Sequence, residues 1–375
     1  MNTHIIEREI QKDIEKRLFQ RKAIIIYGAR QTGKTTLVNT IRENFKEPSV
    51  YLNCDEIDVR QKLAGKTSTE LGALIPGAKL IVIDEAQRVA DIGITIKLFV
   101  DHFPDRQFLV TGSSSFELSD RIKEPLTGRA FEYHLYPFSL GELAHRYSPL
   151  ELGRMLEDRM IRGMYPEVVT GGKTEILTRL ADSYLYKDVL AYQRIRSHDM
   201  LLKLLQALAL QIGNEVAYTE IGGMLGIDKK TVENYVNILE QAFVIFHLPP
   251  FSRNLRNELK KNRKIYFLDT GIRNALINNF NPLSLRADAG VLFENFIIAE
   301  RLKHTSNRGE RKNMYFWRTH QKKEIDLIEE SGGTLEGFEV KLNRPDYIPP
   351  REFMETYSPG RVRLINRDNC LEFVL

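Results

Sequence analysis

The chain has 375 residues, 42% hydrophobic and 28% charged, with a formal net charge of +4. That length exceeds one ordinary core and predicts roughly two to four domains, while the composition excludes a fibrous or disordered polymer. So small a net charge says little about nucleic acid, so the placement of charge matters more than its sum.

The first segment, MNTHIIEREIQKDIEKRL, reads as an amphipathic helix without the apolar stretch of a signal peptide. No apolar run approaches the roughly 20 residues of a membrane span. The two cysteines, Cys54 and Cys370, lack metal-ligand spacing. They fit a reducing compartment, and the expectation is a soluble cytoplasmic protein.

From residue 23 to 147, short apolar runs alternate with helical stretches: AIIIYG, SVYLNC, KLIVIDEA, QFLVTGSSS and RAFEYHLYPFSL. This predicts an α/β fold, a parallel sheet with helices on both faces. Residues 1–147 form an N-terminal helix and the sheet domain. Residues 148–198 carry two helical stretches and no strand, a lid-like region. Residues 199–280 run through helices into two strands, and residues 281–375 form a helix followed by four strands, a second α/β domain.

The stretch GARQTGKT fits G-x-x-x-x-G-K-[ST] and stands between an apolar strand and a helical run, the context that gives this motif meaning. Gly28, Ala29, Arg30, Gln31, Thr32, Gly33, Lys34, Thr35 and Thr36 are the predicted nucleotide-binding residues. Glycine lets the backbone curl so that N–H groups face phosphates, and the following helix adds its positive end. Lys34 reaches the β- and γ-phosphates, and the Thr35 hydroxyl binds Mg²⁺. The strand KLIVIDE ends in Asp84, expected in the Mg²⁺ shell, and Glu85, the expected base for an attacking water or else a helix cap. The strand QFLVTGSSS ends in Thr111, Ser113 and Ser114, which either report the γ-phosphate or form a turn. Ser113 is the preferred nucleotide contact. A cation beyond Lys34 is needed for the phosphate charge. Arg129 is the first candidate, within its own chain or as a finger between copies, and Arg30 and Arg162 are weaker ones.

The segment AYTEIGGMLGIDKKTVENYVNILEQAFVIFHL reads as helix, turn, helix and strand. Val232, Tyr235, Val236 and Leu239 form the apolar stripe of the second helix. Lys229, Lys230, Asn234 and Asn237 would face DNA, although Glu233 and Glu240 also suit a protein contact. The following loop is basic, with Arg253, Arg256, Lys260, Lys261, Arg263 and Lys264 against Glu258, as for a wing on a phosphate backbone.

Taken in order, GARQTGKTTL, IDEAQ, LVTGSSS, LTGR with YPFSLGE, and GMYPEV resemble a group of prokaryotic AAA-type ATPases of the additional-strand P-loop class. In that family the ATPase domain is joined to a winged helix and a C-terminal domain of formerly unknown function, similar to the PD-(D/E)xK nuclease fold. The resemblance implies that Glu294, Asp326 and Glu339 bind Mg²⁺ or Mn²⁺ and that Lys341 acts on the attacking water. Such a metal serves as a Lewis acid on the scissile phosphate. The turn EESGG would join the strands of Asp326 and Glu339 in a hairpin. Arg318, His320 and Lys322 could approach a phosphate backbone. Ile325 stands where the family has proline, and alternating Glu and Lys on an exposed strand are otherwise only a solvated face. The implied function is ATP hydrolysis coupled to DNA binding or processing, in a possible homo-oligomer. The alternative is a nucleotide-operated switch that binds protein or DNA without cutting.

Overall fold

The computed structural model describes residues 5–112, 125–172, 175–184, 198–252, 263–319 and 321–375. It divides into two compact units: residues 1–136 with 241–243, and residues 137–240 with 244–375.

In the first unit, the expected apolar runs form β1 (Ala23–Tyr27), β2 (Ser49–Asn53), β3 (Leu80–Asp84), β4 (Gln107–Gly112) and β5 (Ala130–His134). Their order is β2-β3-β4-β1-β5, with every pairing parallel. β4 therefore lies between the strand that enters the phosphate loop and the strand that ends in Asp84. β1, β3 and β4 are buried along their whole length, so unbroken apolar runs form them where alternation would have left one face wet. On one face, Ile24, Ile26, Leu80, Val82 and Leu109 pack against Leu37, Val38 and Ile41 of the helix Lys34–Asn44, and against Ile10 and Ile14 of the helix Glu9–Lys16. On the chain's other apolar segment, Phe99 stacks on Phe108 with ring centroids 4.9 Å apart.

The second unit runs first through the helices Leu140–Ala144, Pro149–Arg162, Pro166–Gly171, Glu175–Tyr184 and His198–Leu210. The helices Tyr218–Leu225 and Lys229–Gln241 lie in sequence between the first and second strands of an antiparallel sheet of β6 (Glu215–Val216), β7 (Ile245–Leu248) and β8 (Arg263–Phe267), in the order β6-β8-β7. Val232, Tyr235, Val236 and Leu239 are buried as the stripe requires.

A 19-residue helix, Ala289–Asn307, precedes a second sheet of β9 (Asn313–Arg318), β10 (Glu324–Ser331), β11 (Thr334–Val340) and β12 (Arg361–Ile365). The order is β12-β11-β10-β9, with β12 parallel to β11 and the other pairs antiparallel. β10 and β11 form the expected hairpin, closed by Gly332 and Gly333 at φ 58° and 81°, angles that favour glycine. None of the described helices is long and apolar enough to cross a membrane.

Candidate functional site

At the carboxyl end of β1 the chain turns into the loop of Gly28 to Gly33. A Cβ on Gly28 would stand 2.3 Å from the Leu135 carbonyl oxygen, so glycine is needed there for close approach. Gln31 and Gly33 adopt left-handed φ of 58° and 95°. Thr32 is fully buried and donates its hydroxyl to the Ala29 carbonyl at 2.8 Å. Lys34 is buried, and its Nζ donates to the Gly28 and Ala29 carbonyls at 2.8 Å each. The side chain is thus folded back along the loop it would leave to meet a phosphate. Thr35 and Thr36 are exposed at the first turn of the helix.

Asp84 closes β3, one strand removed from β1, and is 3% exposed. Its carboxylate accepts from Thr35 Oγ1 at 2.9 Å and from the hydroxyls of Tyr51 and Thr111. A hydroxyl and a carboxylate meeting at this edge make an oxygen donor pair suited to Mg²⁺ carried in with phosphate ligands. Burial, and next the hydrogen bond to Asp84, push the Tyr51 hydroxyl well above its usual pKa and keep it a donor.

Glu85 sits in left-handed backbone at φ 54°, a strained conformation for a non-glycine residue. Its N–H donates to Thr111 Oγ1 at 3.2 Å, and its Oε2 accepts from Gln87 Nε2 at 2.6 Å. The Thr111 hydroxyl, within β4, thus donates to the Asp84 carboxylate and accepts from the Glu85 backbone N–H. Ser113 and Ser114 lie outside the described residues.

Of the arginine candidates, Arg129 stands at the amino edge of the sheet. Its carbonyl accepts from Ala23 N–H at 2.9 Å and its guanidinium pairs with Asp101 at 2.7 Å. Five residues of β1 separate that edge from Gly28, about 16 Å of strand, so Arg129 does not reach its own phosphate loop. Arg162 pairs with Asp158 at 3.0 Å in the second unit. Arg30 is half-buried on the loop itself. Sequence reading missed Arg8: it is buried, and donates to the Thr32 carbonyl at 3.1 Å and the Tyr136 carbonyl at 2.5 Å, bracing the loop from the N-terminal segment.

The second cluster lies in the C-terminal half. The hairpin register pairs Leu327 with Phe338, which sets Asp326 opposite Glu339. Lys341, the first residue beyond β11, holds Asp326 Oδ2 at 2.6 Å and Glu339 Oε1 at 3.0 Å. Asp326 Oδ2 also accepts the Val340 N–H at 3.0 Å. Glu294 joins from the long helix and accepts from Tyr266 at 2.8 Å. The four residues implied by the resemblance do converge.

Lys264 is a correction. Expected in a basic wing, it is fully buried on β8, with Nζ 3.3 Å from Glu294 Oε1, 3.2 Å from Asp326 Oδ1 and in contact with Glu324. Arg318 likewise turns inward, to Glu324 at 3.3 Å. Arg253, Arg256, Glu258, Lys260, Lys261 and His320 lie outside the described residues.

Burial, then the Asp326 charge, push both Glu294 and Glu339 up to about 7. Burial opposes ionisation of Asp326 as well, but Lys264 and Lys341 outweigh it and hold it at about 2. Burial likewise works against the Lys264 charge, yet Glu294, Tyr266, Asp326 and Glu324 drive its pKa well above the usual lysine value. Among the described residues, no group of three His, Cys, Asp or Glu is arranged to hold a metal ion. The residues at Asp326 thus do not fit the divalent ion implied by the resemblance, because an ammonium stands among them. Glu324 and Lys264 carried no sequence signal: neither falls in the motif, and Lys264 lies 62 residues before Asp326.

Residues 20–144 match the model of a family described as AAA domain. Residues 153–283 and 289–361 match two families described as domains of unknown function, DUF8612 and DUF4143. An uncharacterized protein of Mycobacterium tuberculosis is 28% identical over 90% of this chain and 74% of its own. Another, from Methanocaldococcus jannaschii, is 28% identical over 78% of this chain and 69% of its own. The Aeropyrum pernix Orc1 protein in complex with DNA superposes with a TM-score of 0.29 at 14% identity, covering 72% of this chain and 91% of that one. A score that low leaves the assignment to the AAA match and to the geometry of Lys34, Thr35 and Asp84. Over residues 20–144 this chain is similar to an AAA domain, and its phosphate-loop motif stands at the carboxyl edge of a parallel sheet, as a P-loop does.

Proposed function

We propose that the chain hydrolyses ATP at the loop of Gly28 to Thr35 and uses the nucleotide cycle to operate its second unit. One observation carries this reading: Lys34, Thr35 and Asp84 meet at the carboxyl edge of one parallel sheet, with Glu85 next in sequence. Loop N–H groups and Lys34 would hold the phosphates once the Lys34 ammonium leaves the Gly28 and Ala29 carbonyls. Thr35 and Asp84 would hold Mg²⁺, which when bound supplies positive charge to the phosphate oxygens. Glu85, released from Gln87, would take a proton from the attacking water. The water oxygen bonds to the γ-phosphorus as the bridging oxygen bond breaks, giving ADP and phosphate.

The test is nucleotide binding and phosphate release by purified protein. Lys34→Ala should lose both, whereas Glu85→Gln should keep ATP binding and lose turnover by about 10²-fold or more. Phosphate release by Lys34→Ala at the parent rate would refute the proposal.

Within this reading we keep the four-part division at residues 147, 198 and 280. The helix Lys229–Gln241 exposes Lys229, Lys230, Asn234 and Asn237, which supports a DNA-facing surface on a winged helix. Arg129 would act only in a second copy of the chain, because it lies at the far edge of its own sheet. Buried free Cys54 and Cys370 suit a reducing cytoplasm. The second reading, a switch that binds without cutting, is favoured by one observation: Lys264 inside the Asp326 cluster.

A further inference from the structure

Lys264 is fixed at both ends. Its strand is the central one of three, with Lys264 paired to Glu215 of β6 and Leu248 of β7. Its side chain is completely buried, so the ammonium has no route to water along its own stem. An ammonium has three N–H donors. Here three carboxylates receive them, from Glu294, Glu324 and Asp326, while the Phe316 ring lies 5.7 Å away. A divalent ion shared by Glu294 and Asp326 would need oxygens at roughly 2 to 2.6 Å. It would compete for the two carboxylates that Lys264 already contacts, at Glu294 Oε1 (3.3 Å) and Asp326 Oδ1 (3.2 Å). Lys341 adds a second ammonium on Asp326 Oδ2 and Glu339 Oε1. Four carboxylates thus already share two resident cations.

We infer that the Lys264 ammonium is the resident cation of this cluster and excludes a divalent ion from it, making the cluster an ion-paired lock between β8, the long helix and the β10–β11 hairpin. The lock does not depend on ATP hydrolysis, and its test reads metal uptake without nucleotide. In the full chain carrying Asp84→Asn, to silence the nucleotide site, Mn²⁺ titration followed by electron paramagnetic resonance should show no uptake that depends on Asp326. Adding Lys264→Met should create uptake of about one Mn²⁺ per chain, lost again with Asp326→Asn. Asp326-dependent uptake while Lys264 is intact overturns the inference. So does a folded Lys264→Met protein that takes up none.

Should Lys264→Met fail to fold, amine acetylation of the parent chain, read by peptide mass spectrometry, decides the matter. Lys264 should stay unlabelled with and without Mn²⁺, while Lys341, with a side chain 37% exposed, labels. Mn²⁺-dependent labelling of Lys264 would show the ammonium displaced and overturn the inference.

Discussion

Two glycines of one motif act for different reasons. Gly33 has nothing within 4 Å of where a Cβ would stand, so its requirement is the left-handed φ of 95° at the start of the helix. Gly28 has an ordinary φ but no room: the Leu135 carbonyl oxygen would be 2.3 Å away, held by the Leu135 N–H donating to the Tyr27 carbonyl at 2.7 Å. Backbone cannot yield there as a flexible side chain could, so a methyl group must push the loop outward. Gly28→Ala should then weaken ATP binding at least about tenfold, roughly 1.4 kcal/mol, while circular dichroism and the unfolding temperature stay near those of the parent. Titration with a fluorescent ATP analogue checks it; parent-like affinity would mean the loop yields freely. Arg8 has no such sequence flag. Its role comes from reaching the Thr32 carbonyl 24 residues away, a contact that no local pattern encodes.

The helix Ala289–Asn307 shows how an element can be legible while its energetics are not. Its existence follows from VLFENFIIAERL, and Glu294 is implied only by the family resemblance. Its other charges carry no signal of burial, yet Glu300, Arg301 and Lys303 are buried. Lys303 pairs with Glu300 at 2.7 Å and donates to the Phe138 carbonyl at 3.0 Å, while Glu300 accepts the Leu140 N–H at 2.6 Å. Arg301 grips Glu329 of β10 through two bonds, 2.5 and 2.8 Å, tying the helix to the sheet. Although burial opposes its charge, Arg301 and then Lys312 keep the Glu329 carboxyl below its usual range. Removing one partner strands a buried charge, so Arg301→Met should destabilise by about 3 kcal/mol in urea unfolding. Arg301→Met combined with Glu329→Leu should recover most of that loss, because a buried pair adds little over apolar packing. A double variant as unstable as the single one would assign the loss to packing instead.

Across the whole chain, what could be read in advance was what neighbouring residues encode: apolar runs, the phosphate loop, the glycine hairpin and the order of elements. What could not be read depends on long-range convergence, as at Lys264, whose charge suggested a surface and whose partners lie 30 and 62 residues away. The same holds for the joint formed by Arg273, Arg286 and Asp288. Arg273 donates to the Ala209 carbonyl at 2.8 Å, Arg286 meets Asn274 Oδ1 and the Asp288 carboxylate at 2.9 Å each, and Asp288 opens the long helix. Burial raises the Asp288 carboxyl, but hydrogen bonds from Arg286 and Arg273 prevail and bring it down to about 2 from 3.8. A folded pKa below the unfolded one gives stability that is present above about pH 4 and lost as pH falls through about 2, worth about 2 kcal/mol. Glu294 and Glu339, raised to about 7 from 4.5, act in the opposite sense. The native state keeps their protons between those values, so their contribution declines as pH rises through that window. A single pH profile would blend the two, whereas subtracting the Asp288→Asn profile isolates the joint. The difference in unfolding free energy between parent and Asp288→Asn should be flat above about pH 5 and shrink steadily below about pH 4. A difference that does not change down to pH 3 or so would mean that the Asp288 carboxylate is not what the two arginines stabilise.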